Sequence, residues 1–542
     1  LLLGPYGGMI AGPRRRGAVF LILVVVLTAL LVRLRKLNWF PASLVVMVSY
    51  AAFYKAATFS ADVSTFPLSL SWSEGSRYYY ASLFFSERLY HMHVPPSVLH
   101  PSRYLMQAIP FLVSGLPLWF HRLWQVLLWI SLTAITGFTL ACRLKSNWVL
   151  ALWAFLFLFQ GPVYYHLLVM VILVLWGVNS RQVWRTLWVV LAASAWAGIS
   201  RVNWFPVPAI LAVILYLLEI PVERKLWRYL LPPAVWGLLG TGVAFAMQRL
   251  YILWSGNPPE QFGSSFTSDL LWYRLHPSPT YPGGILRSLV WVLLPLLLII
   301  IVRMWTARHQ VHWLRQAGIW AALVLLFIFG LVVSVKIGGG SNLHNMDAFL
   351  VLLLIVGSYV YFGKYEKESA VESVPLKPMM ALVYFAVGVP IFFAITSGGR
   401  PPLRDFASAE RTLAMLRENL TPIVEAGGKV LFIDQRHLLT FGYLQNIPLE
   451  PAYEVVFLME MVMSGNKPYL EKFRSDLRQQ RFAAIVSGRQ PVTYQGRAYA
   501  FGEENDAWVR EVSEPMLCYY EERVQLESSN LVIYLPRETP CQ

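Results

Sequence analysis

Twelve apolar runs in the first 396 residues constrain this chain more than any other feature. They lie at approximately 17–32, 38–56, 117–141, 147–159, 166–178, 186–199, 204–218, 229–249, 285–302, 318–335, 349–363 and 378–396. Lipid offers no partner to backbone N–H and C=O groups, so runs of this kind dissolve in a membrane only as helices. A helix needs about 20 apolar residues to cross a bilayer. Several runs are shorter, which a span tolerates by tilting, thinning the bilayer or packing inside a bundle. The expected fold is therefore a polytopic α-helical membrane protein with about 11–13 spans. Composition agrees: 56% of residues are hydrophobic and 14% charged, against about 25% charged in soluble domains. Trp and Tyr, 21 and 27 of them, suit the two membrane–water interfaces.

The net charge of +15 reads as topology, because the basic residues sit in short loops between the runs; no nucleic-acid partner is expected. Arg33 to Lys36, Arg143 with Lys145, Arg181 with Arg185, Arg224 to Arg228, Arg303 to Arg315 and Lys364 to Lys377 occupy every second loop. The positive-inside rule places these in the cytoplasm. The alternate loops, about 57–116, 160–165, 200–203, 250–284 and 336–348, then face outside. Arg14 to Arg16 conflict with this scheme, and an interfacial or re-entrant first run would remove the conflict. That run reads as a retained span, since Arg33, Arg35 and Lys36 follow it instead of a cleavage site.

After about Ser397 the character changes, giving domains at 1–396 (membrane, with the long outer loop 57–116) and 397–542 (extracytoplasmic α/β). Residues 405–420 pattern as an amphipathic helix through Leu413, Leu416 and Leu420, and 452–463 and 467–480 also read as helices. Lys429 to Asp434, Arg481 to Val486 and Leu531 to Leu535 read as strands, which predicts a small, partly parallel α/β layer. No Gly-rich phosphate fingerprint follows them. Cys518 and Cys541 fall in this tail and can pair in an oxidising compartment or stay free; Cys142 is far from both.

Charged groups are costly in a membrane domain, so their placement is informative. They collect in the outer loops. Glu74 and Asp62 are the candidate general bases, because a carboxylate among apolar neighbours gains proton affinity. Arg77, one helical turn from Glu74, is either its functional partner or half of a surface pair. Arg103 and His100 can hold a phosphate, Arg by a bidentate fork; the alternative for Arg103 is snorkelling to headgroups. Arg201 stands at the mouth of a span, and Lys336, His344 and Asp347 flank a Gly-rich turn. Helix capping explains one such residue better than all three together. Two amphipathic stretches, about 77–90 and 102–115, can lie in the interface plane. His91, His93 and His100 match no metal-binding spacing, and no metal site is expected.

This layout resembles the GT-C superfamily of membrane glycosyltransferases, through the loop Ser73-Glu74-Gly75-Ser76-Arg77-Tyr78-Tyr79 and the order of spans over about 40–396. The resemblance implies an inverting transfer of a sugar from a polyprenyl-phosphate carrier to a glycan, lipid or protein acceptor outside the cytoplasm. Glu74 or Asp62 would be the base, and Arg77, Arg103, Arg201 and Lys336 would neutralise the departing phosphate. Many relatives carry an acidic pair where this chain has Ser73 before Glu74, which puts a divalent cation in doubt; no cofactor is expected. The implied location is a bacterial inner membrane, within the cell envelope. Two other readings stay open: a transporter or flippase for a lipid-linked glycan, and a non-catalytic scaffold. Spans nearly free of charge favour the enzyme over a transporter, which would place ionisable groups at the midplane.

Overall fold

The computed structural model describes residues 7–222, 225–338, 343–365, 376–399, 403–526 and 529–541. The readings made above at Arg224, at 339–342 and at 366–375 lie outside the described residues. Every apolar run is a helix: α1 (Pro13–Arg35), α2 (Trp39–Phe59), α6 (Leu118–Arg143), α7 (Trp148–Gln160), α8 (Tyr165–Gly177), α9 (Val183–Gly198), α10 (Val207–Glu219), α11 (Leu226–Ser255), α13 (Ile285–Thr306), α14 (Trp313–Ser334), α15 (Asp347–Tyr361) and α16 (Leu376–Ser397). Between them lie α3 (Glu74–Ser82), α4 (Ser86–Tyr90), α5 (Pro101–Gln107) and α12 (Ser264–Thr267). Among the described residues, nine helices are long and apolar enough to cross a membrane.

The short helices are interior ones. A helix that is apolar on every side must be buried on every side. Helix α15 has this character and is buried along nearly its whole length, as are α7 and α10. Helices α1 and α11 instead turn apolar residues outward, as lipid-facing helices do. Close approach is bought with small residues: a Cβ added to Gly137 on α6 would lie 2.4 Å from the Ala151 carbonyl oxygen of α7.

The end of the bundle away from the tail is tied by charge. Arg143 donates to Glu219 from Nε at 2.9 Å and Nη2 at 3.0 Å, and its Nη1 donates to the carbonyls of Leu175 and Val178. Tyr359 and Ser180 hydroxyls also donate to Glu219. One carboxylate thus joins α6, α10, α15 and the turn after α8. Arg315 donates to the last carbonyls of α10, at Leu217 and Leu218, where the helix dipole favours a cation.

Helix α1 is one continuous helix long and apolar enough to cross a membrane, as its reading as a retained span expects, and it packs on α2 and α16; Arg16 donates to the Thr396 carbonyl at 3.2 Å and the Tyr54 hydroxyl at 3.4 Å, so its charge is met by protein oxygens. Of the two stretches expected in the interface plane, 102–115 exposes Leu105, Ile109, Leu112 and Val113, whereas α3 exposes no apolar face. Nearly all of α3 is buried, between the bundle and the tail, because its apolar and polar faces both have protein partners.

The tail comprises α17 (Phe406–Glu425), β1 (Val430–Phe432), α18 (His437–Thr440), α19 (Val455–Met463), α20 (Lys467–Arg478), β2 (Ala484–Gly488), α21 (Gly502–Trp508), α22 (Glu514–Tyr519), β3 (Tyr520–Leu526) and β4 (Leu531–Pro536). Sheet order is β1-β2-β4-β3, with β1 parallel to β2 and the other pairs antiparallel. Alternation splits β1: Val430 and Phe432 face Leu413 and Leu416 of α17, while Leu431 faces Leu458 and Phe473 of α19 and α20. The result is an α/β/α layer. Cys518 and Cys541 form a disulfide. The tail is clamped to the bundle by Arg274, which donates to both Glu503 and Glu504, and by Lys336 with Glu460 at 2.8 Å.

Removing the cation from the Glu219 cluster, as in Arg143→Leu, is expected to destabilise the bundle by about 2–3 kcal/mol, below the cost of a fully buried pair because Glu219 is partly exposed. Thermal unfolding in detergent checks this; an unchanged transition would contradict it.

Candidate functional site

Helix α3 starts at Glu74, and Glu74 is not a free base. Its side chain is 7% exposed. Arg122, near the start of α6, meets it in a two-pronged ion pair, Nε to Oε1 at 2.9 Å and Nη2 to Oε2 at 3.1 Å. The Leu70 amide donates to Oε2 at 2.6 Å. Arg122 also donates to the carbonyls of Ser64, Phe66 and Leu68. Burial alone would raise the Glu74 pKa; the hydrogen bonds and charge of Arg122 outweigh it and hold the carboxyl below the usual carboxylate range. A carboxylate so held accepts a proton poorly. Arg77 is not its close partner: Arg77 Nη2 donates to Ser71 Oγ at 3.3 Å. Asp62, the second expected base, is a surface group whose side chain is 71% exposed and pairs with Arg404 at 3.3 Å.

The cations converge elsewhere, around the Tyr164 ring at the start of α8. The Arg103 guanidinium lies 4.7 Å from the ring centroid and that of Arg201 lies 5.9 Å away, with the His344 ring at 5.6 Å. Arg201 donates to Asp347 at 3.2 Å and to Asn345 at 3.3 Å. Asp347, fully buried, also accepts from Trp204 Nε1 at 2.9 Å and the Ala348 amide at 2.7 Å. It therefore anchors Arg201 at the start of α15. Arg103 is 8% exposed and has no carboxylate partner among the described residues; its Nε is buried and unbonded there, as is Arg77 Nε. The charges of Arg77 and Arg103 both act on the Tyr104 and Tyr165 hydroxyls. Lys336 is close enough to influence His100 but is paired with Glu460.

His100 is held toward its neutral form. Burial and the nearby charges of Arg201 and Arg103 push its pKa down to about 3. Its Nδ1 lies 3.3 Å from the Ser200 carbonyl; a carbonyl only accepts, so the ring proton sits there and Nε2 is an acceptor.

Several residues at this face escaped the reading of the sequence. Arg122 and His166 had a signal, being ionisable groups within apolar helices. His166 is 1% exposed, with both ring nitrogens unbonded, and its ring centroid lies 6.2 Å from that of His100 and 5.7 Å from that of Tyr164. From the tail, His437 Nε2 donates to the Pro67 carbonyl at 2.9 Å, and its ring abuts Gly75, where an added Cβ would lie 2.5 Å from Nδ1. Glu454 accepts from Tyr80 and caps α19. Arg436 donates to the Tyr79 hydroxyl at 3.0 Å. Burial pushes Asp434, at the carboxyl end of β1, up to about 6. Among the described residues, no group of His, Cys, Asp and Glu has the arrangement of a metal site.

No family model matches the chain, and no curated protein matches it. Among solved structures it is similar to ArnT from Cupriavidus metallidurans in the apo state, with TM-score 0.47 and 13% identity over 90% of this chain and 97% of that one. It is also similar to ArnT from Cupriavidus metallidurans bound to undecaprenyl phosphate, with TM-score 0.44 and 12% identity over 92% of this chain and 99% of that one.

Because folding depresses the Glu74 pKa, its contribution to stability is present above about pH 4.5 and is lost as pH falls through the folded value. Glu74→Gln is expected to be less stable than wild type at neutral pH, with the gap narrowing on acidification. Unfolding temperatures of both proteins across acidic pH check the sign; a gap independent of pH would contradict it.

Proposed function

We propose that this integral membrane protein is a glycosyltransferase that takes a sugar from a polyprenyl-phosphate carrier. The observation that supports the reading is two cations, Arg77 and Arg103, each with a buried, unbonded Nε and no carboxylate partner among the described residues, with Arg103 sharing the Tyr164 ring with the anchored Arg201. A guanidinium with unused donors favours phosphate oxygens. The tail-side face is taken as extracytoplasmic, because the basic loops gather at the other end.

The charge balance suits departure of the carrier. The donor is a phosphodiester bearing one negative charge. The leaving polyprenyl phosphate is a monoester carrying about −1.5 to −2 at neutral pH. Two unpaired cations stabilise the second state more than the first, and only such differential stabilisation accelerates the step. In an inverting displacement the acceptor hydroxyl oxygen attacks the anomeric carbon as the bond from that carbon to the phosphate oxygen breaks, and the hydroxyl proton passes to solvent water. Arg77, Arg103 and Arg201 receive the developing charge. Asp347, Asn345 and Tyr164 fix Arg201 and Arg103 before substrate arrives. Lys336 belongs to the docking of the tail, through Glu460, more than to the phosphate.

Arg103→Gln keeps the size and loses the charge. It is expected to lower transfer from a polyprenyl-phosphate sugar to a glycan or lipid acceptor by about 10²-fold, while Arg103→Lys recovers part of the loss. Wild-type transfer rates in Arg103→Gln and Arg77→Gln would overturn the assignment.

A further inference from the structure

At the bundle end opposite the tail, an apolar crevice of about 240 Å³ opens between α2, α7, α13, α15 and α16. Leu44 and Val45, Trp153, Leu296 and Ile299, and Tyr361 line it. The crevice is not uniformly apolar. Ser358, 2% exposed, lines it with an unbonded hydroxyl oxygen. A cation follows the lining residues along α13. Leu296, Ile299 and Arg303 recur at helical spacing on one face of α13, so the row of lining side chains ends on a guanidinium. Arg303 lies beside the turn that closes α15, with Nη2 3.7 Å from where a Cβ on Gly363 would sit. Its Nε is buried and unbonded, and among the described residues it has no carboxylate partner.

We propose that this crevice binds an anionic glycerophospholipid of the cytoplasmic leaflet, with an acyl chain against Val45 and Ile299 and the phosphate on Arg303. Charge decides the occupant. Every glycerophospholipid brings a phosphate, but the ammonium group of a zwitterionic lipid cancels that charge within the same headgroup, whereas an anionic lipid keeps its net charge beside the guanidinium. The surrounding loops, with Arg33, Arg35, Lys36 and Lys145, add a positive field of the kind that concentrates anionic lipids at a cytoplasmic surface. A carbohydrate-transfer site at the other end plays no part in this, so the two stand or fall separately.

Native mass spectrometry of the full chain, released from nanodiscs of phosphatidylcholine containing a minority of phosphatidylglycerol, tests the site. Wild type is expected to retain phosphatidylglycerol in preference to phosphatidylcholine. Arg303→Gln should reduce that retention about fivefold, the effect of one basic residue near an anionic surface, and Arg303→Lys should restore most of it. Val45→Trp fills the crevice without touching the charge and should reduce retention as well. Equal retention of the two lipids by wild type, or retention unchanged in both Arg303→Gln and Val45→Trp, would overturn the proposal.

Discussion

The buried guanidinium of Arg122 is the contact on which the tail-side face depends. A charge this far from water is tolerable only if every donor is used. Arg122 uses its donors on Glu74 and on three carbonyls between Ser64 and Leu68. The consequence is mechanical. One side chain on a span fixes the stretch leading into α3, and with it the register of Tyr78, Tyr79 and Tyr80. The tail then grips what Arg122 has fixed: His437 on Pro67, Arg436 on Tyr79 and Glu454 on Tyr80. Bundle, loop and tail share one network, which is why α3 is buried instead of resting on the membrane.

The cations around Tyr164 form a second layer of the same design. Asp347 is spent holding Arg201, and Glu460 is spent holding Lys336. Arg77 and Arg103 are left with surplus charge and unbonded donors. Surplus charge beside an aromatic floor, at the ends of several spans, is an arrangement suited to an anionic headgroup on a lipid. The opposite end of the bundle shows the contrast. There Arg143 and Arg315 are satisfied by Glu219 and by helix-end carbonyls, and serve packing.

The spans and three of the four strands were legible in the sequence, for one reason: continuous apolar runs must be helices in lipid and buried strands in a small α/β layer. Strand β3 was not. Tyr520 to Leu526 is mostly polar and lies at the sheet edge, so hydrophobicity carried no signal. The gathering of polar residues on one face was legible too, and Arg103, Arg201, His344 and Asp347 do meet there. Their division of labour was not. Glu74 and Arg122 are 48 residues apart in sequence, and only the fold shows that the acidic residue of the loop is consumed by an arginine on a span. Nor could the sequence show that burial and the charges of Arg201 and Arg103 lower the His100 pKa.

The central claim is that the Arg77–Arg103–Arg201 cluster recognises the phosphate of a lipid carrier. The most direct measurement compares binding of a polyprenyl phosphate with that of the matching polyprenol to the reconstituted protein. The prediction is that the phosphate binds at least about tenfold tighter, the equivalent of about 1.4 kcal/mol, and that added salt narrows the difference. Equal affinity for the alcohol and its phosphate would contradict it.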